Sequence, residues 1–462
     1  MENFRQREMA ECGNPFPQSR PTLWERVMPG LMVAALLLPL IFSAPEKKSF
    51  LHLGLPRVHS GDEPHYLVML NSLLSDHDLD LRNNYEAVHM GGEDAGRYFK
   101  GLSLDNHTTW YINGKLTRWF EVYAVDEKKW GHDAQGHPVP VLKAGVVSPD
   151  PGRPEYSWHP PGVALLLAPL LYPFRGTTYV EPLAIFCSTL AMIAAMFLFR
   201  ALVLHFDQRH GVANLVTAVA FLGTPAWHYG RTFFNEPYLL LFAAGAYSLV
   251  LRGRGTLLAG TMIGLGLLMK PFFILVAVPL GLMMLAEKKT RALALFALPQ
   301  AACILVILWM NYWMFGSPWR VPQPFQIGSF FKGASGLLFD ARHGCLNSAP
   351  ALLVALVAWP AFMRAHRREA LMLGGGVLLY FLFISMFHTW HGGYCYGPRY
   401  LVPVLPLLFV ALVSLPASRA WREAWARWLL GAVCVLSVAV NFVAANPYWN
   451  SWDKNPLTAP WK

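Results

Sequence analysis

Ser60-Gly61-Asp62-Glu63-Pro64-His65-Tyr66-Leu67 follows the first long apolar run and sets two adjacent carboxylates directly before a proline. Proline suits the first turn of a helix, where its missing N–H costs nothing. Tyr66, Leu67, Leu70, Leu73 and Leu74 then recur at helical spacing, while His65, Asn71, Ser72, Ser75 and Asp76 share the other faces. The pattern predicts a short amphipathic helix over 64–75, lying in a membrane interface with Asp62 and Glu63 at its N-terminus. The positive end of the helix dipole favours ionised groups there, which keeps Asp62 charged and available as a base. Aspartate is also a leading N-cap residue, so a purely capping Asp62 is the competing reading. Its place in the whole chain decides between them.

The chain has 462 residues, of which 54% are hydrophobic and only 14% charged. That is too apolar for a water-soluble chain of this length, and apolar segments recur from Val27 to Ala445. The composition predicts an all-α polytopic membrane protein with about 11 transmembrane helices. The expected spans are 27–44, 180–204, 212–229, 237–251, 256–270, 271–286, 292–315, 348–364, 370–387, 400–416 and 428–445. Pro45 directly follows Ala44, so the first span reads as an anchor and not as a cleaved signal peptide. Arginine and lysine collect in alternate loops: Arg200 and Arg209, Arg252 and Arg254, Lys288 to Arg291, Arg364 to Arg368, and Arg419 to Arg427. The tail adds Arg5, Arg7, Arg20 and Arg26, placing residues 1–26 in the cytoplasm and the C-terminal tail 446–462 outside. The net charge of +10 is accounted for by this topology signal, and no nucleic-acid partner is called for.

The first outward loop, 45–158, is far longer than a connection requires, which marks it as functional. Thr108-Thr-Trp-Tyr-Ile-Asn-Gly-Lys-Leu116 carries strand-type residues around an Asn113-Gly114 turn and predicts a small β-element. Residues 159–174, opening with His159-Pro-Pro-Gly, are too short for a span and read as a second interfacial or re-entrant helix. Cys345 and Cys395 both fall in outward loops, where a disulfide is chemically permitted. Asp76-x-Asp78-x-Asp80 imitates a calcium loop but has Leu81 and Ala87 where glycine and glutamate belong. Gly260-x-x-x-Gly264 and Gly374-Gly-Gly read as close helix packing.

Polar chemistry gathers at the outer helix ends. Glu236 opens the fourth span, Lys270-Pro271 splits an apolar run, and Arg342 and His343 occupy the loop 316–347. His388-Thr-Trp-His-Gly-Gly-Tyr-Cys-Tyr-Gly-Pro-Arg-Tyr400 joins the ninth and tenth spans. Ionisable groups in a membrane protein are costly and mark function, here a site opening outward at the headgroup level. An anionic lipid substrate fits: its tail lies among the helices while its phosphate meets fixed cations. Lys270, Arg342 and Arg399 are the candidate phosphate ligands, with His388, His391, Tyr394 and Tyr396 as hydrogen-bond partners. Asp62 is the candidate base on the far side of the sugar, and attack from there would invert the anomeric centre.

These residues resemble the GT-C superfamily of polyprenyl-phosphate-dependent glycosyltransferases, in particular bacterial relatives of glycosyltransferase family 39. That group includes protein O-mannosyltransferases and the enzyme that adds aminoarabinose to lipid A. The resemblance runs from about Val27 to about Ser414 and rests on Asp62-Glu63, His159-Pro-Pro, Asn235-Glu-Pro, Gly266-Leu-Leu-Met-Lys270 and Gly397-Pro-Arg399-Tyr. It implies one transmembrane domain over 27–445, including the periplasmic loop 45–158, in an inner (plasma) membrane. It implies an inverting transferase moving one sugar from a polyprenyl-phosphate donor to a lipid, glycan or protein acceptor on the periplasmic side. Asp62, with Glu63 beside it, becomes the catalytic group by this resemblance; Glu236, with His65 and His159, becomes the acceptor- or sugar-binding set. No soluble lectin-like domain is appended, so a mannosyl donor and a protein acceptor do not carry over. Metal dependence varies across the superfamily and no strong ligand set stands out, so no cofactor is predicted and a divalent cation stays open.

A secondary transporter or flippase is the rival class, since transporters also carry intramembrane charge. Against it, the spans are nearly free of acidic residues and the first loop has no counterpart in the second half. A membrane scaffold is the third class, and it would tolerate loss of the Asp62 carboxylate.

Overall fold

Backbone polar groups in hydrocarbon must be satisfied within their own segment, so apolar runs become helices. The computed structural model describes residues 22–41, 55–58, 61–89, 106–124, 131–132, 134, 136, 138–146, 153–446 and 455–458. Ser60, Cys12, most of both tails and parts of the 45–158 loop lie outside the described residues.

The first helix, α1, spans Leu23–Ile41; α2 spans Glu63–Ser75 and α3 Arg82–His89. After the loop come α4 (Gly162–Leu171), α5 (Val180–Phe206), α6 (His210–Leu222), α7 (Glu236–Leu251) and α8 (Thr256–Met269). Then follow α9 (Ile274–Ala286), α10 (Thr290–Phe315), α11 (Phe330–Phe339), α12 (Leu352–Ala365), α13 (Arg367–Ser385) and α14 (Ala424–Ala445). A helical segment occupies each predicted span, with ends moved by a few residues. Among the described residues, α1, α5, α10, α13 and α14 are long and apolar enough to cross a membrane. The others are shorter, and the sequence shows why. Pro271 ends α8 at Met269 and restarts the chain as a 3₁₀ turn before α9. Span 400–416, interrupted by Pro403, Pro406 and Pro416, is 3₁₀ over Leu405–Ala417 and not α.

Glycines set the closest approaches. On α8, Gly260 lies against the backbone of Phe296 and Gly264 against Pro299 and Cys303, so α8 and α10 pack as the spacing predicted. A Cβ at Gly162 would lie 2.5 Å from the carbonyl carbon of Leu268, so α4 touches the end of α8 backbone to backbone.

The helix predicted over 64–75 is present, but it does not lie half-exposed at an interface. Glu63 to Ser72 and Leu74 are all buried, polar faces included. The turn that follows covers them: the Ser72 hydroxyl donates to the Asp78 carboxylate at 3.0 Å, and Tyr85 of α3 reaches His65. Asp78 and Asp80 thus serve the turn; Asp80 Oδ1 accepts the N–H groups of Arg82 and Glu155.

In the loop, β1 (Thr108–Ile112) pairs antiparallel with β2 (Lys115–Arg118), and both turn residues, Asn113 and Gly114, have positive φ, at 50° and 80°. A second strand pair joins β3 (Gly131–His132) to β4 (Pro138–Val139). The edge strand β5 (Tyr156–Ser157) pairs with β1, giving the order β2-β1-β5. This small sheet brings the residues just before α4 back over α2. Cys345 and Cys395 are buried free thiols, so the disulfide considered from the sequence is not formed.

Candidate active site

Five chain segments end at one point. Asp62 is the residue before α2, Glu236 opens α7, Lys270 closes α8, Arg399 starts a 3₁₀ turn after Gly397-Pro398, and His159 precedes α4. Both carboxylates therefore stand at helix N-termini, where the dipole favours their charge. Gly61 makes the approach possible: its φ is +65°, and a Cβ there would lie 2.8 Å from the Tyr394 carbonyl oxygen.

Arg399 Nη2 donates to Asp62 Oδ2 at 2.6 Å. The Arg399 Nε lies 3.4 Å from Glu236 Oε1, which accepts from Lys270 Nζ at 2.5 Å. Two carboxylates thus face two cations in a buried quartet of zero net charge. The rings of Phe234 and Tyr400 flank the guanidinium at 4.9 and 5.1 Å, and Tyr400 also lies 4.6 Å from the Lys270 ammonium. Burial raises the Asp62 pKa; the charge of Arg399 and its hydrogen bond, with His159 and His107 when protonated, outweigh it and hold the carboxyl well below the usual carboxylate range.

A histidine column backs Asp62. His159 Nε2 lies 3.9 Å from Asp62 Oδ1, and His107 Nδ1 lies 3.0 Å from the same His159 nitrogen. His65 stacks on His107 with ring centroids 3.4 Å apart, and its Nδ1 lies 2.6 Å from the Tyr85 hydroxyl. Burial pulls the pKa of His159 and of His107 down to about 3, so both are neutral at pH 7. The Trp158 indole N–H, which can only donate, points at His159 Nε2 from 2.7 Å. That nitrogen is therefore the acceptor, the His159 proton sits on Nδ1, and His107 Nδ1–H is a second donor to it. Asp62, His107 and His159 bring ligand atoms within 4.8 Å of one another. In this hydrogen-bond arrangement, however, the single lone pair of His159 Nε2 is already taken by two donors, which does not fit a metal ion bound there.

The quartet forms the polar end of a cavity of about 450 Å³. Asp62, Lys270, Arg399, His159 and His391 line it, and Phe272, Met310, Phe325, Phe383 and Phe387 supply its apolar walls. Of the residues expected from the sequence, Asp62, Lys270, Arg399, His159 and His391 line it, and Glu236 stands buried just behind, bonded to Lys270. Others do not line it. Glu63 is buried behind the helix, accepting from the Phe233 N–H at 2.6 Å, and His65 stands behind His107. Tyr396 points into the bundle, its hydroxyl donating to Asn441 at 3.3 Å. Arg342, His388 and Tyr394 are exposed outside the cavity.

Tyr66, His107, Trp158 and Tyr400 were not singled out for the site by sequence reasoning. Tyr66 counted as an apolar helix residue, yet it lines the cavity and its hydroxyl accepts from Asn235 Nδ2 at 3.0 Å. His107 sits inside Asn106-His-Thr108 and gave no signal of its own. Strand pairing brings it in: the Trp158 N–H donates to the His107 carbonyl at 3.0 Å, setting it beside His159.

No protein-family model matches the chain, and no curated protein does. Solved structures do. ArnT from Cupriavidus metallidurans in the apo state is similar at 14% identity and a TM-score of 0.51, over 93% of this chain and 77% of that one. ArnT bound to undecaprenyl phosphate gives 14% identity and 0.51, over 91% and 64%. The apo oligosaccharyltransferase of Archaeoglobus fulgidus gives 12% identity and 0.50, over 94% and 56%. Helix order, the loop between α1 and α5 and these likenesses agree: the chain shares the polytopic helical fold of these ArnT and oligosaccharyltransferase structures.

Proposed function

We propose that this protein is an inverting glycosyltransferase that moves a single sugar from a polyprenyl-phosphate donor to an acceptor hydroxyl on a lipid, glycan or protein. The observation that carries this reading is the meeting of one cavity-facing carboxylate and two cations at the polar end of an otherwise apolar cavity. A lipid tail suits the phenylalanine and methionine walls, and a phosphate suits Arg399 and Lys270. ArnT, similar in fold, has been solved with undecaprenyl phosphate, which supports a lipid-phosphate ligand here.

In the reaction, the acceptor oxygen forms a bond to the anomeric carbon while the bond from that carbon to the phosphate oxygen breaks. The electron pair leaves with the phosphate, held by the guanidinium and ammonium groups, and the acceptor proton passes to Asp62. Glu236 orients both cations. His159 and His391 stand where sugar or acceptor hydroxyls would lie. Residues 27–445 act as one catalytic domain with the loop 45–158. The positive loops support an orientation with the site and the 446–462 tail outside the cytoplasm and the 1–26 tail inside.

Mass analysis of surface glycans and lipids in a deletion strain tests this. The expected result is one glycan or lipid lacking a single sugar, restored by the wild type and not by Asp62→Ala. An unchanged profile sinks the transferase reading.

A further inference from the structure

The quartet is already neutral, and an anionic donor has to enter it. Asp62 and Glu236 balance Arg399 and Lys270, so a phosphate that simply adds to the site leaves excess negative charge in a buried place. One carboxylate has to yield. Glu236 cannot do so readily: its side chain is 1% exposed and bonded to Lys270. Asp62 faces the cavity, its side chain is 17% exposed, and it makes no capping hydrogen bond to its own helix. Arg399 meanwhile keeps Nη1 buried without a hydrogen-bond partner, and its Nε meets Glu236 only in a 3.4 Å ion pair that lacks hydrogen-bond geometry. Such groups are costly unless something completes them.

We infer that the donor phosphate exchanges with Asp62 on Arg399. In the free protein Arg399 holds the catalytic carboxylate; an incoming polyprenyl phosphate takes that guanidinium and releases Asp62 toward the acceptor hydroxyl. This inference rests on the transferase reading and adds an order to it, donor before acceptor. Geometry supports the exchange. One guanidinium holding both partners would set base and leaving group side by side, whereas inversion needs them on opposite faces of the anomeric carbon. The chemistry agrees, because a carboxylate locked to arginine is a weak base, and burial strengthens it once the arginine is taken.

The test uses the full-length protein in nanodiscs with undecaprenyl phosphate, which carries the phosphate and no sugar. Exchange predicts that Asp62→Asn, which frees Arg399 in advance, binds this lipid roughly tenfold or more tighter than the wild type, although it cannot turn over. Exchange also predicts that adding the lipid to the wild type speeds carbodiimide labelling of Asp62, read by mass spectrometry, because the carboxyl leaves its arginine. Mere loss of a nearby negative charge would tighten binding without speeding the labelling. Unchanged or weaker binding by Asp62→Asn, or labelling that slows or stays constant, overturns the exchange and leaves the transferase reading standing. A wild type that binds no lipid phosphate sinks both.

Discussion

Asp62 and Arg399, 337 positions apart in the chain, share a 2.6 Å hydrogen bond at the polar end of a largely apolar cavity. Arginine suits this place because its planar fork can face a carboxylate on one edge and a phosphate on another, whereas lysine offers one point charge. Arg399→Lys should therefore raise the apparent KM for the polyprenyl-phosphate sugar by roughly tenfold or more, with thermal stability changed far less. Steady-state kinetics beside a melting curve checks this; an unchanged KM would remove Arg399 from the donor site. At this scale the sequence was partly legible. A carboxylate pair before a proline and a Gly-Pro-Arg at a span start are local signals, readable one at a time. Which partners they reach is not local. Arg342, His388 and Tyr394 have the same chemistry and similar loop positions, yet backbone turns leave them outside the cavity.

The small sheet and α2 make one clasp over the site, and Glu155 is its buried fastening. Its carboxylate accepts from Thr108 at 2.9 Å and lies 3.8 Å from Arg82. Burial raises its pKa from 4.5 to about 7, against the pull of Thr108, Arg82 and Asn106, with Asp80 adding a small push upward. A carboxyl whose pKa rises on folding is most comfortable protonated. Its contribution is fully present below pH 4.5 and is lost as pH rises through about 7, at about 1.4 kcal/mol per unit in between. Thermal unfolding at pH 5.5 and 8 should show the wild type losing stability at the higher pH and Glu155→Gln losing less. Equal losses in both would assign the pH dependence elsewhere. The hairpin itself was legible from Asn113-Gly114. The burial of α2 on all sides was not, because its cover comes from a turn and a strand whose pairing has no local signature.

The bundle as a whole presents one polar end. The span positions followed from hydropathy alone, since a bilayer leaves a chain few alternatives. The early end of α8 and the 3₁₀ segment Leu405–Ala417 follow from prolines whose local effect depends on packing. Orientation rests on the arginine-rich loops. Tyr394, 73% exposed beside the site, should become labelled as Tyr394→Cys by a membrane-impermeant maleimide added outside intact cells. Labelling only after the cells are opened would reverse the topology.

A cryo-EM structure of the protein with undecaprenyl phosphate tests the central claim most directly. The account predicts the phosphate within ~3 Å of Arg399 and Lys270, with the tail along Phe272, Phe325 and Phe383. A phosphate bound away from these cations, or a tail lying outside the cavity, would contradict it.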